Sequence, residues 1–106
     1  MMPSIEQIFN GMADAFNAKA AAGVDAVIQF RVTGDGGGDW NVTIKDQQCQ
    51  VQKGLAANPR VTLTANASDT ADILLGKLDG TKAFFSGRLK ISGDIGFASR
   101  ITSLFS

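Results

Sequence analysis

Residues 75–93 read LGKLDGTKAFFSGRLKISG, and this stretch carries more information about the fold than any other. It places the pair Phe84-Phe85 between glycines and follows it with a short strand in which Leu89 and Ile91 alternate with polar residues. Adjacent side chains point in different directions on a helix or a strand, so the two rings must contact two apolar surfaces, or one surface and a ligand. Since no group suited to catalysis lies among them, the stretch indicates binding of an apolar molecule.

The composition excludes several classes of function. The chain has 106 residues, a length typical of one domain, so we expect a single domain over residues 1–106. Ten Lys and Arg balance ten Asp and Glu, which argues against a nucleic-acid partner. The chain has no His, and its single Cys cannot form an internal disulfide or a thiolate metal site. We therefore expect no catalytic residue, no metal and no cofactor.

The sequence also gives an expectation about location. The N-terminal residues lack the charged start and apolar run of a signal peptide, and no apolar run approaches the length of a transmembrane helix. The last residues, 103–106, are not a peroxisomal address. We expect a cytoplasmic protein without an integral membrane segment, and the sequence leaves transient membrane contact open.

The spacing of apolar residues predicts an α+β fold. Helical spacing predicts a first helix over residues 4–21, capped by Ser4. A second helix would begin at Ser68 or Asp69, a short turn at Thr81, and a last helix at Asp94. Strict alternation of apolar and polar residues predicts strands at 28–33, 40–45, 48–52, 61–65 and 88–91. Because each strand has one apolar and one polar face, we expect a sheet that is covered on one side only, by helices.

Several other features have ordinary structural explanations. The glycine-rich loop 34–39 precedes a strand and lacks a Gly-Lys-Ser/Thr motif, so a hairpin turn is favoured over a phosphate site. Cys49 lies on the apolar side of its strand and is expected to be inert. Trp40 either closes the core or forms part of a ligand wall. Arg88 and Lys90 are interpreted as solvent-exposed residues of a strand, the alternative being contact with an anionic head group.

The stretch 75–93 resembles the signature of the lipid-binding domains of the sterol carrier protein type 2 (SCP-2) family. That signature has Gly-Lys-Leu, a spacer, Lys-Ala-Phe-Phe, Gly-Arg/Lys-Leu-Lys and a further Gly before a terminal amphipathic helix. The matching residues are Gly76, Lys77, Leu78, Lys82, Ala83, Phe84, Phe85, Gly87, Arg88, Leu89, Lys90 and Gly93. The strand Trp40-x-Val42-x-Ile44 is similar to the family's Trp-containing strand. The chain departs from the pattern at Gly80-Thr81, where many relatives have Pro-Gln.

The resemblance implies a five-stranded, mostly antiparallel sheet, helices on one face, and a hydrophobic tunnel between the two layers. Such domains bind fatty acids, fatty acyl-CoA, phospholipids or sterols without chemistry, so the implied partner is a lipid or acyl-CoA. The last helix would act as a lid. The implied tunnel lining consists of Phe30, Trp40, Val42, Leu74, Leu78, Phe84, Phe85, Leu89, Ile91, Phe97, Ile101, Leu104 and Phe105. Without a peroxisomal address or a fused enzyme, the chain is similar to a free-standing bacterial-type member.

Three hypotheses about function follow. The first is a non-catalytic protein that binds, and in some settings transfers, lipids in an internal tunnel. The alternative is an accessory or scaffold domain that presents a lipid-like intermediate, such as a quinone precursor, to partner enzymes. A third is a protein-interaction module with a filled core. An enzyme fits the composition least, because no nucleophile or acid-base constellation is present.

Overall fold

The structure is a computed structural model that describes residues 5–75 and 77–104, with all side chains in these ranges except those at 12, 13, 15, 102 and 103. The helices are α1 (Ile5–Ala15), α2 (Ala67–Leu74), α3 (Gly80–Phe85), α4 (Ile95–Ala98) and α5 (Ile101–Leu104). The strands are β1 (Ala26–Thr33), β2 (Gly38–Lys45), β3 (Gln48–Lys53), β4 (Val61–Asn66) and β5 (Lys90–Gly93).

The five strands form one mixed sheet in the order β3-β2-β1-β4-β5. The pairs β1–β2, β2–β3 and β4–β5 are antiparallel, whereas β1 and β4 are parallel. The predicted five-stranded, mostly antiparallel α+β fold is therefore confirmed. Because β4 lies beside β1 and not beside β3, residues 54–60 must carry the chain past β2 and β1 before β4 begins.

One face of the sheet is apolar and packs against the helices. Phe30 of β1 lies in register between Trp40 of β2 and Leu63 of β4. Phe9 of α1 is fully buried above this row, with its ring centroid 5.0 Å from that of Phe30 and 5.1 Å from that of Trp40. Apolar residues of α2, α4 and α5 join the same cluster. The predicted helical layer on one face is thus confirmed.

The opposite face is polar, but it is not fully open to solvent. Gln29 and Asn41 lie on this face and are only 3% and 7% exposed. The Gln29 amide donates to the carbonyl oxygens of Trp40 at 3.0 Å and Gly54 at 3.2 Å, and its Oε1 accepts from the N–H of Ala56 at 2.7 Å. The Asn41 amide donates to the Gly54 carbonyl at 3.1 Å. The expectation of a sheet covered on one side only is therefore wrong at this point, because the start of the crossover 54–60 packs on these side chains.

The first helix is shorter than predicted. It ends at Ala15 and does not continue to residue 21, because Asn17 makes hydrogen bonds that compete with helix continuation. The Asn17 N–H donates to the carbonyl oxygen of Leu104 at 2.7 Å, and its Oδ1 accepts from the N–H of Ala20 at 3.2 Å. The predicted N-cap, Ser4, lies outside the described residues.

The other helix starts differ slightly from the predictions. The N-caps of α2 and α3 are Asn66 and Asp79, each just before the predicted cap, whereas Asp94 caps α4 as predicted. The predicted last helix divides into α4 and α5. Ser99 ends α4, and its hydroxyl donates to the carbonyl oxygen of Gly96 at 2.8 Å.

The glycine-rich loop is a hairpin turn, as predicted. It joins β1 to β2, and Val32 pairs with Gly38 where the two strands meet the turn. A Cβ atom on Gly37 would lie 2.2 Å from the carbonyl oxygen of Val32. Glycine is needed there because the turn brings the two backbones into contact.

Candidate functional site

The buried apolar side chains on the helical side of the sheet form two clusters. The main cluster lies beneath α1 and includes Ile28 and Val42, both fully buried. The small cluster contains the buried residues Ala65, Ala83 and Leu89 and lies between β4 and α3. The core is therefore divided, with most of its burial on the α1 side.

Half-buried apolar side chains lie where the two clusters meet. We call this group the seam; it consists of Leu63, Ile73, Leu74, Leu78, Phe84 and Ile91. Leu63 and Ile91 pack against both clusters, and on α2 Leu74 packs against the main cluster while Ile73 packs against the small one. The seam is thus a group of large apolar side chains that the protein covers only in part, a feature typical of ligand or partner contacts.

The structure brings most of the predicted lining residues to these clusters. Those buried in the main cluster are Phe30, Trp40, Val42, Phe97, Ile101 and Leu104, and those in the seam or small cluster are Leu74, Leu78, Phe84, Leu89 and Ile91. Phe85 lies outside both clusters with 80% of its surface exposed, its ring centroid 5.6 Å from that of Phe84 in an edge-to-face contact. Phe105 lies outside the described residues.

Trp40 makes the contacts of a core residue. Its ring stacks on Phe9, and the Nζ of Lys53 lies 5.4 Å from the centroid of the indole while pairing with Glu6 at 3.3 Å. Trp40 also borders an open hollow of about 580 Å³, together with Glu6, Lys53 and the glycine-rich loop. Apart from Ile5 and Trp40, this hollow is lined by charged side chains and glycines, whereas every side chain of the seam is apolar, so the seam is the better candidate site for an acyl chain.

An ion pair that the sequence did not reveal lies beside the seam. The Nε of Arg88 donates to Oδ1 of Asp69 at 3.1 Å, and a second guanidinium nitrogen donates to the same oxygen. The Asp69 side chain is 9% exposed and that of Arg88 is 47% exposed. The hydrogen bond to Asp69 and the charge of Asp69 raise the pKa of Arg88 above its usual value.

The position of Arg88 corrects the sequence-based interpretation. We expected Arg88 on a solvent-exposed strand face. Its side chain is exposed, but β5 begins at Lys90, so the assignment of Arg88 to the strand is wrong. A signal for the pair was present in the sequence. Asp69 and Ile73 are four residues apart in α2 and share a helix face. Packing of Ile73 against an apolar cluster therefore also buries the carboxylate of Asp69, which then needs a cation beside it.

The chemistry of the remaining candidates is limited. Cys49 is half-buried, and this burial raises the pKa of its thiol, so the reactive thiolate is scarce at neutral pH. Within residues 5–75 and 77–104, no three side chains of the kinds that hold a metal ion come together. In the same part of the chain, no helix has the length and apolar character to cross a bilayer.

A comparison against protein families gives a match over nearly the whole chain. The model of the SCP-2 sterol transfer family matches residues 5–106. The chain belongs to this family. Hydroxysteroid dehydrogenase-like protein 2 of Mus musculus is 30% identical to this SCP-2 chain over 102 residues, which cover 95% of the chain and 21% of that protein. The chain spans about a fifth to a quarter of the length of curated relatives such as this one.

Several solved structures superpose on the chain, among them SCP-2 proteins. The solution structure of palmitated SCP2L2 from Aedes aegypti has a TM-score of 0.76 at 27% identity and covers 97% of this chain and 95% of its own. The sec-alkyl sulfatase PisA1 has a TM-score of 0.86 at 21% identity, covering 98% of this chain and 16% of its own. The second likeness concerns the fold alone. The resemblance to SCP-2 domains inferred from residues 75–93 is thus confirmed.

Proposed function

We propose that this protein binds long-chain lipids without chemistry, with the acyl chain lying along the seam between the sheet and the helices α2 and α3. The observation that carries the proposal is a group of half-buried apolar side chains in a chain of the SCP-2 sterol transfer family. The palmitated state of the SCP2L2 protein from Aedes aegypti supports an acyl chain as the ligand.

The predicted tunnel is part of this proposal. The acyl chain would separate the seam side chains and extend toward the main cluster, where buried residues such as Phe30 and Ile101 would form the inner wall. Phe85 would lie at the outer end of the tunnel, since its ring is exposed and contacts Phe84. We place the protein in the cytoplasm, in keeping with its single Cys.

Under this proposal, the length of the acyl chain decides the affinity. Each buried methylene contributes about 0.8 kcal/mol, which is about a fourfold change in the dissociation constant. Burial of about ten methylenes then contributes about 8 kcal/mol, the order needed for micromolar affinity before the costs of association are counted. The seam side chains are all uncharged, so the head group of the lipid contributes less to the affinity than the acyl chain does.

The proposal is tested by titrating the protein with saturated fatty acids of increasing length, using calorimetry. We expect the affinity to rise by up to about fourfold per methylene until the tunnel is filled. The variant Leu74→Gln places an amide in the seam and should weaken binding, whereas Leu55→Gln changes a leucine that is 65% exposed and outside both clusters.

Absence of binding at every chain length would overturn the proposal, as would equal effects of the two leucine variants. Circular dichroism of both variants shows whether the fold is kept. Tighter binding of a polyprenylated phenol than of palmitate would favour the accessory domain that presents a quinone precursor.

A further inference from the structure

We propose that residues 79–89, here called the lid segment, form a lid over the seam that is held closed by the ion pair between Asp69 and Arg88. The inference rests on the proposed function, because a lid has a role only if the seam takes a ligand. It differs from the lid that the family resemblance implies, which is the last helix.

The lid segment is a compact unit in itself. At its start the Asp79 carboxylate accepts a hydrogen bond from the N–H of Thr81 at 2.8 Å. At its end the carbonyl oxygen of Ala83 accepts from the N–H groups of Arg88 at 2.9 Å and Leu89 at 3.1 Å. Helix α3 and the arginine that follows it are therefore joined by backbone hydrogen bonds and would move together.

Few apolar contacts hold this unit to the rest of the molecule. Within the lid segment, all of which the structure describes, the buried residues are Ala83 and Leu89, and Phe84 is half-buried against the same small cluster. An alanine buries little apolar surface, and the exposed ring of Phe85 adds none to the core. The six residues of α3 are also too few for a helix that is stable without tertiary contacts. The segment thus belongs to the least stable part of the fold.

The last helix is held more firmly. Phe97 and Leu104 are 2% and 1% exposed, and both belong to the main cluster. The carbonyl oxygen of Leu104 also accepts the N–H of Asn17 at 2.7 Å. Opening α4 and α5 would break the main cluster, whereas opening the lid segment would break only the small one.

The ion pair joins the lid segment to a fixed part of the fold. Asp69 lies in the first turn of α2, and its N–H donates to the side chain of Asn66 at 2.7 Å. Asn66 is the last residue of β4 and pairs with Thr33 of β1, so the carboxylate is positioned by the sheet. Arg88, with half of its side chain exposed, is the movable partner. A charge-assisted pair with one buried member is stronger than a surface pair, so it can decide whether the lid is closed.

Loss of the pair should change the rates of lipid exchange more than the affinity. The pair stabilises the closed lid with or without a ligand, so its removal favours opening in both states. Entry and release then both accelerate, and their ratio changes little. A purely structural role for the pair would lower stability without this pattern.

The test compares the release of cis-parinaric acid, a fluorescent fatty acid, from the wild-type protein and from Arg88→Gln by stopped-flow mixing. We expect release to accelerate by about tenfold or more, since Arg88→Gln removes a charge-assisted hydrogen bond, while the dissociation constant shifts by less than about threefold. The matched control is Arg60→Gln, which removes the same charge from a pair with Asp94 at 3.0 Å and should leave the release rate unchanged.

Hydrogen exchange without ligand gives a second measurement. In Arg88→Gln the amides of residues 81–89 should exchange faster, while those of β1 and β2 keep their protection. If Arg88→Gln does not fold, Asp69→Asn keeps a neutral acceptor for Arg88 and should give a smaller acceleration of the same kind.

Three results would overturn the lid: equal release rates in Arg88→Gln and wild type, equal acceleration in Arg60→Gln, or equal loss of protection in β1 and the lid segment. Failure of the wild-type protein to bind any fatty acid would instead overturn the proposed function, and the lid with it. Binding with unchanged rates would overturn the lid alone.

Discussion

Phe84 and Phe85 are adjacent in the chain and meet different surroundings in the fold. Phe84 is half-buried in the seam, whereas Phe85 is 80% exposed. The sequence predicted that the two rings contact two apolar surfaces, or one surface and a ligand. Phe84 packs on the small cluster, whereas Phe85 lies outside both clusters, so contact of Phe85 with a ligand stays a prediction. The sequence could not predict which ring faces inward, because the orientation of α3 is fixed by the fully buried Ala83 and not by the phenylalanines.

This difference predicts unequal effects of alanine substitution on stability. Phe84→Ala removes a ring that packs against the small cluster and should lower the free energy of unfolding by about 1–3 kcal/mol. Phe85→Ala removes an exposed ring and should cost less than about 0.5 kcal/mol. Urea unfolding of the two variants measures both values, and a larger loss for Phe85→Ala would contradict the described orientation of α3.

Asp94 gives the stability a dependence on pH. Its carboxylate accepts the backbone N–H of Phe97 at 2.9 Å and the Nε–H of Arg60 at 3.0 Å. The first of these contacts, followed by the second, lowers the pKa of Asp94 below its usual 3.8. A group whose pKa is lower in the folded state stabilises the fold above its unfolded pKa, and that contribution disappears as pH falls through the folded pKa.

The variant Asp94→Asn should therefore be less stable than wild type near neutral pH, and the difference should shrink as the pH falls to about 2. Asparagine is also a good N-cap, so the change reports mainly on the charge. Urea midpoints measured across this pH range test the prediction. A difference that stays constant from neutral to acidic pH would show that the charge of Asp94 has no such role.

At the scale of elements, the crossover 54–60 depends on side chains of the sheet. Alternation along β1 placed Gln29 correctly on the polar face. Alternation predicts the face to which a side chain points, but it does not predict which segment of the chain covers that face. The buried amide holds the crossover through Gly54 and Ala56. The helix ends were less predictable than the strands for a similar reason, because single side chains such as Asn17 redirect the backbone.

Replacement of Gln29 should destabilise the fold strongly. Gln29→Ala would leave the N–H of Ala56 and the carbonyl oxygen of Gly54 without this partner, at a cost of about 2–4 kcal/mol in the free energy of unfolding. The matched control is Gln52→Ala, since Gln52 is exposed and lies in the same row of side chains beside Asn41. We expect the control to cost less than about 0.5 kcal/mol in the same urea measurement. Equal costs would mean that the amide of Gln29 does not hold the crossover.

At the scale of the whole molecule, the alternation of apolar and polar residues was sufficient to predict the fold class and the apolar face of each strand. The parallel pairing of β1 with β4 was not predicted from that pattern, because pairing between strands distant in sequence depends on how the chain crosses the sheet. The division of the core into two clusters could not be predicted from the sequence either. Ala65 and Ala83 are buried members of the small cluster, and such small side chains allow α3 to lie close to the sheet.

The central place of β1 has a consequence for synthesis of the chain. The first three strands can pair as soon as residue 53 has left the ribosome, but the second edge of β1 then has no partner until residues 61–66 follow. An unpaired strand edge invites association with other chains. The interval between these two segments is therefore the period in which the nascent protein is most exposed to aggregation, and the brevity of the crossover 54–60 keeps that interval short.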